Sequence, residues 1–222
     1  MGAGARPLTP VKPPPSRPAY SARMVPPPAR VLIVQGHPEP GTSHLCHALA
    51  DAYAAGARSA GHAVRQIRVA DLDFPLLRSP GEWERGAVPA ALAPAQEDIR
   101  WATHLVLVYP LWLGGMPALL KGFLEQVARP GFAFRYDATS ALGTRRGLGG
   151  RSARVVVTMG MPALAYRWFY RAHSLKALKR NILGFVGFAP VRDTVVGGVG
   201  RFGARDVTRW QARLRALGER AR

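Results

Sequence analysis

The chain has 222 residues, 31 Lys and Arg against 13 Asp and Glu, a formal charge of +18, and one cysteine. That length buries the core of one domain. The lone Cys46 excludes an internal disulfide, and no apolar stretch reaches the roughly 18 to 20 uncharged residues of a membrane-spanning helix. No signal-type apolar block occupies the first thirty residues, so a cytoplasmic protein is expected.

The charge is uneven. Residues 1–30 carry five basic side chains and no acid, residues 31–144 carry nine against ten, and residues 145–222 carry seventeen against three. Such asymmetry suits a phosphate-bearing ligand, nucleic acid or an anionic surface. The basic residues are dispersed among apolar ones, which favours the first over nucleic acid.

Residues 1–29 are dense in Pro, Gly and Ala without periodicity. Proline at this density removes helix and sheet hydrogen bonds, which predicts a disordered, polyproline-like tail before a folded domain at 30–222. From Arg30 the pattern alternates. The runs VLIVQ (31–35), AVRQIRV (63–69), HLVLVY (104–109), RVVVTM (154–159) and about 190–196 have the length and β-branching of strands. Helical patterns lie at 43–60, about 88–102, 117–129, about 163–183 and 204–220. Strands separated by single helices predict a doubly wound α/β domain, a five-stranded parallel sheet with helices on both faces. Such sheets bind ligands beyond the carboxyl ends of their strands, where strand order reverses, so three loops are of interest.

After the first strand, GHPEPGTSHLCHAL joins tight-turning glycines to a hydroxyl, Thr42 or Ser43, at a helix start, an arrangement suited to a phosphate. It is neither G-x-G-x-x-G nor GxxxxGK[ST]. After the third strand, YPLWLGGMPALLKGF interrupts an apolar run with Gly114 and Gly115. These leave the backbone open to a planar group, while Pro110 fixes the exit from the strand and the N–H groups of residues 111–113 are expected to reach ring atoms. After the fourth strand comes VVVTMGMPALAYRW. His44, Cys46 and His47 are close in sequence, but Cys46 points elsewhere on the helix and no second ligand pair follows, so no metal is expected.

These loops resemble those of the flavodoxin-like NAD(P)H:quinone oxidoreductases. VLIVQGHPEPGTSHLCHALADAY is similar to that family's phosphate loop, YPLWLGGMPALLKGFLEQV to its Pro-Leu, aromatic-turn and Pro-Ala-x-Leu-Lys-Gly segment, and VVVTMGMPALAYRW to its Thr-x-Gly turn. The resemblance spans roughly residues 30–200. It implies a flavodoxin-like fold and a bound flavin, FMN in preference to FAD. His37, Thr42, Ser43 and Leu45 would hold the phosphate and ribityl chain. Pro110, Leu111, Trp112, Leu113 and Gly114, with Thr158, Met159 and Gly160, would hold the ring. Trp112 and Leu113 stand where relatives often carry Gln or Tyr followed by Trp.

The resemblance further implies hydride transfer from NAD(P)H through the flavin to a quinone or similar acceptor, with Tyr166 and His173 as catalytic candidates near the flavin's pyrimidine edge. His173 is displaced by one residue from the family spacing. Family members are usually homodimers, and Trp168, Phe169 and Tyr170 would suit such a contact. The basic segment around Arg167, Arg171, Lys176, Lys179 and Arg180 would attract the phosphate of NADPH. Two other roles are open: a non-catalytic flavodoxin-like module whose basic last third binds nucleic acid or a partner, and an ancillary subunit of a potassium efflux system.

Overall fold

The computed structural model describes Met1 and residues 27–41, 44–140 and 143–222, so most of the proline-rich tail lies outside the described residues. The elements are β1 (Arg30–Gln35), α1 (Leu45–Ser59), β2 (Ala63–Arg68), α2 (Pro80–Arg85), α3 (Ala93–Trp101), β3 (His104–Pro110), α4 (Ala118–Val127), β4 (Phe134–Tyr136), β5 (Thr144–Arg146), β6 (Ser152–Met159), α5 (Ala163–Trp168), α6 (His173–Ala177), α7 (Gly184–Val186), β7 (Val191–Gly197) and α8 (Ala204–Gly218). β2, β1, β3, β6 and β7 lie side by side in that order, all parallel, and β4 and β5 form a separate antiparallel pair. The first crossover steps to one side of β1 and the next to the other, so strand order reverses between β1 and β3. This is the five-stranded doubly wound sheet expected from the alternating pattern.

Burial explains the strand compositions. β1, β3 and β6 are covered on both faces and read as unbroken apolar runs. β2 is an edge strand and stays partly exposed along its length. One face of the sheet is covered by α1 and α8, which approach so closely that a Cβ on Gly56 would stand 2.0 Å from Arg215 O and one on Gly218 2.1 Å from Tyr53 O. α3 and α4 pack on the other face. At the amino-terminal end of the sheet, His104 is buried between Tyr53 Oη (3.0 Å from Nε2) and Ser152 Oγ (2.7 Å from Nδ1).

The helix expected over 163–183 is not continuous. α5 stops at Trp168, Arg171 and Ala172 take left-handed φ values of 52° and 49°, and α6 then runs into a π-helix over Leu178–Leu183 before α7. The pattern over 88–102 resolves into a 3-10 turn, Ala90–Leu92, followed by α3. Neither α2 nor the β4–β5 pair was predicted. α2 is nonetheless well signalled, by Ser79, whose hydroxyl accepts from Glu82 N–H, and by Pro80 in the first turn.

Candidate cofactor-binding site

The carboxyl ends of β1, β3 and β6 bring the three loops together. Gly36 N–H donates to Val108 O at 2.8 Å, and Leu111 N–H donates to Thr158 O at 2.7 Å, so each loop leaves its strand bonded to a neighbour. Cys46 Sγ, on α1, lies 3.2 Å from Thr158 Oγ1, which ties the start of α1 to the end of β6. Both residues are buried, and burial pushes the Cys46 thiol up to about 11, so it is inert as a thiolate. Thr158 and Met159 therefore shape the site from below, while Gly160 is exposed with nothing within 4 Å of a Cβ placed on it.

The second loop is a two-residue turn. Trp112 N–H donates to Gly115 O (3.0 Å) and Gly115 N–H to Trp112 O (2.9 Å), with φ of 45° at Leu113 and 78° at Gly114. Positive φ at both central positions is the type I′ geometry. This corrects the expectation that N–H groups 111 to 113 face a ligand: those of Leu111 and Trp112 are spent inside the protein. The unbonded ones, among the described residues, belong to Leu113 and Gly114. Leu113 is fully exposed and Trp112 half exposed, and Cβ atoms on Gly114 and Gly115 would meet nothing within 4 Å. A leucine held left-handed and bare at a turn tip is strained and uncovered together, a combination common at ligand sites.

The first loop supplies histidines. His37 is 8% exposed, its Nδ1 accepts from Glu39 N–H at 3.2 Å, and its ring stacks on His44 at 3.8 Å and meets Trp112 edge-on at 5.9 Å. That last contact joins the first and second loops. His44 Nε2 lies 2.9 Å from Glu39 Oε2. His37, Glu39 and His44 have donor atoms within 4.8 Å of one another, but the bonds just given engage the set internally, which does not suggest an ion. Thr42 and Ser43 lie outside the described residues, and Leu45 opens α1 half-buried.

Tyr166, the first catalytic candidate, is turned into the protein. It is 2% exposed, and its hydroxyl lies 2.9 Å from Ser174 Oγ and accepts from Leu175 N–H at 3.2 Å. The break after α5 folds α6 back over it. His173 is exposed at the start of α6, and its ring makes no hydrogen bond or ion pair among the described residues. Of the basic segment, Arg167 and Lys179 both bind Asp193. Burial opposes ionisation of that carboxyl, but the two hydrogen bonds overcome it and hold it below the usual carboxylate range. Arg171, Lys176 and Arg180 remain exposed.

Residues 29–220 match the family model described as a flavodoxin-like fold, Flavodoxin_2. The chain belongs to this family. It is 29% identical over 187 residues to an FMN-dependent NADH:quinone oxidoreductase of Nitratidesulfovibrio vulgaris, covering 76% of this chain and 86% of the relative. Among solved structures it matches an NAD(P)H:quinone oxidoreductase from Methanothermobacter marburgensis with a TM-score of 0.73 and 23% identity, covering 88% of this chain and all of the other. It also matches an FMN-dependent NADH-azoreductase from Bacillus anthracis in complex with FMN, TM-score 0.68 and 19% identity, covering 86% and 98%. At these identities the structural matches establish the fold.

Whether this flavodoxin-like chain has a place for a flavin is answered by its unpaired groups. Among the described residues, Gln35 Oε1 and His47 Nδ1 are buried without hydrogen-bond partners at or beside the end of β1, while the Arg68 guanidinium donates to Gly41 O and its Nε lies 3.4 Å from Asp71 Oδ2. Gln35 pairs in register with Arg68 on β2, and the ring of His47 lies 5.6 Å from His37 and 5.5 Å from His44. Burial first, then the positive charge of Arg68 and the other two rings, holds the His47 pKa below its ordinary value; burial and His44 do the same for His37. Crowded cationic groups whose charging is suppressed by one another are relieved by an anion. The histidine cluster thus fits a phosphate, and the bare turn with its two free N–H groups fits the polar edge of a planar ring. Neither His47 nor Arg68 was among the cofactor-binding candidates of the sequence. The signal for Arg68 was its position at the carboxyl end of the strand beside β1.

Proposed function

We propose that the protein is an FMN-dependent NAD(P)H:quinone oxidoreductase acting in the cytoplasm as a homodimer. The carrying observation is the juxtaposition, at the reversal point between β1 and β3, of the His37–His44–His47 cluster with the type I′ turn over residues 112–115. The names of the relatives point to the same chemistry. When bound, the flavin supplies two-electron transfer between the nicotinamide and the acceptor.

The protein's part is binding and orientation. His37, His47 and Arg68 hold the phosphate by charge-assisted hydrogen bonds. The His37 Nδ1 bond to Glu39 N–H leaves the proton on Nε2, the atom free to donate. The Leu113 and Gly114 N–H groups would hold the ring's polar edge and favour its reduced, more negative form. Trp112 offers an apolar surface and Gly160 an open floor. No side-chain nucleophile is needed, in keeping with the buried, raised-pKa state of Cys46.

The homodimer is supported by an apolar groove of about 600 Å³ between α2, α4 and α7, lined by Leu77, Trp83, Leu124, Phe134 and Phe185. Leu76 and Tyr136 stand exposed on that side of the chain. A second copy is the cover such a surface asks for, and light scattering of the purified protein tests it. The activity is tested by the visible spectrum of the purified protein before and after NADPH in the absence of oxygen. Flavin bands that bleach support the proposal; a protein that stays colourless after incubation with FMN overturns it.

A further inference from the structure

The segment between α5 and α6 puts three aromatic side chains into solvent in succession: Trp168, Phe169 and Tyr170 are 79%, 80% and 53% exposed. It follows α5, the helix entered from the loop after β6, whose first residues pack against the carboxyl end of β7. Immediately after it the backbone is strained, with Arg171 and Ala172 both left-handed. Two consecutive non-glycine residues keep such φ values when the surroundings over-determine them.

The bonds that do so converge on Tyr166. Its carbonyl accepts from Ala172 N–H at 3.0 Å, and its hydroxyl reaches across the bend to Ser174 Oγ and Leu175 N–H. The first N–H groups of a helix need an acceptor, ordinarily from the N-cap side chain. At α6 the N-cap is Ala172, which has none, and Leu175 N–H is capped by Tyr166 Oη from the preceding helix. Tyr166 Oη and Ser174 Oγ share a further hydrogen bond at 2.9 Å. The far end of the segment is pinned independently: Gly198 N–H donates to Met161 O, and a Cβ on Gly197 would stand 2.3 Å from Ala163 N.

We propose that Tyr166 is a positioning residue, a latch that closes the α5–α6 bend and fixes the Trp168–Tyr170 rim beside the cofactor site, so that the rim selects bulky apolar acceptors. The selectivity part rests on the oxidoreductase reading; the latch itself does not. In this reading the hydroxyl acts within the chain, on Ser174 and Leu175, instead of on the flavin.

The test compares Tyr166→Phe and Ser174→Ala with the parent, using the full chain. Trypsin cleavage after the exposed Arg171 should quicken about tenfold in both variants, because both release the cap on α6. With flavin bound, KM for a two-ring naphthoquinone should rise several-fold while KM for ferricyanide, the flavin spectrum and the rate of flavin reduction by NADPH stay at parent values. Trp168→Ala should raise the naphthoquinone KM alone. Unchanged trypsin cleavage in both variants overturns the latch. Slowed flavin reduction in Tyr166→Phe but not in Ser174→Ala also overturns it, by placing the hydroxyl at the flavin. A parent protein that retains no flavin removes the oxidoreductase reading, and the cleavage rates still decide the latch.

Discussion

The sharpest quantitative prediction concerns the end of the sheet away from the site. His104 is 2% exposed, bonded to Tyr53 and Ser152, and its pKa is lowered from 6.5 to about 4 by burial, with a smaller push from Arg154 and Arg192. The folded protein therefore holds a neutral imidazole that the unfolded chain protonates more readily. Stability from this residue is complete above pH 6.5, declines as pH falls towards 4 and levels off below that. At about 1.4 kcal/mol per pH unit, the interval from 6.5 to about 4 amounts to roughly 3 kcal/mol. With a urea slope of about 2–3 kcal/mol/M, the midpoint should fall by about 1 M from this residue alone. Carboxylates such as Asp193, whose folded pKa is depressed, also lose stability in acid, so urea midpoints should be followed from pH 7.5 to 4 in the parent and in His104→Gln. The variant should be less stable at pH 7.5 and have a flatter profile. Parallel profiles in the two proteins would show that His104 does not titrate with folding.

Three further outcomes test the site. His47→Gln or Arg68→Ala should weaken FMN binding by roughly 10- to 100-fold, the worth of one charge-assisted hydrogen bond, and leave riboflavin binding unchanged; equal losses for both ligands in a calorimetric titration would remove the phosphate role. Leu113→Gly should relieve left-handed strain of about 1 kcal/mol, less the entropy that glycine gives the unfolded chain, and so hold or raise the thermal midpoint; a fall of several degrees would mean that the leucine is packed. Gly36→Ala brings a Cβ to 2.5 Å from Leu120 Cδ2 in the buried core and should destabilise by about 1–3 kcal/mol in the parent but by less in a Leu120→Ala background; a neutral single variant in urea unfolding contradicts the packing described.

The sheet was legible because burial on both faces writes itself into composition: VLIV, LVLVY and RVVVTM have no polar face to disguise them. Loop chemistry was legible by place, since the glycines and prolines at 36–41 and 110–117 interrupt apolar runs where strands end. What stayed hidden depends on contacts between segments distant in sequence. Nothing in YRWFYRAHSL announces that Tyr166 turns inward to cap a helix whose N-cap is an alanine, nor that Arg171 and Ala172 adopt left-handed φ. Which N–H groups of the second loop are free follows from Thr158 O, forty-seven positions past Leu111, taking one of them. The proposed roles of His47 and Arg68 need the register of β1 with β2 and the clustering of three rings, neither of which has a one-dimensional signature.

The two ends of the sheet divide stability from function. At the amino-terminal end the polar groups satisfy one another: Tyr53, His104 and Ser152 form a buried chain, and the buried Arg154 finds Thr194 Oγ1 at 2.7 Å and the Arg222 carbonyl. At the carboxyl end beside β1, among the described residues, Gln35 and His47 keep buried polar atoms unpaired, two N–H groups of the turn are free, and a strained leucine faces solvent. Each unpaired buried group costs about 1–3 kcal/mol, so a chain selected for stability alone would have paired or removed them. Among the described residues the polar side chains named at the amino-terminal end all find partners, so the architecture permits satisfaction. The unmet hydrogen bonds at the other end fit the proposed cofactor, its anionic tail beside β1 and its flat, polar-edged head beyond β3.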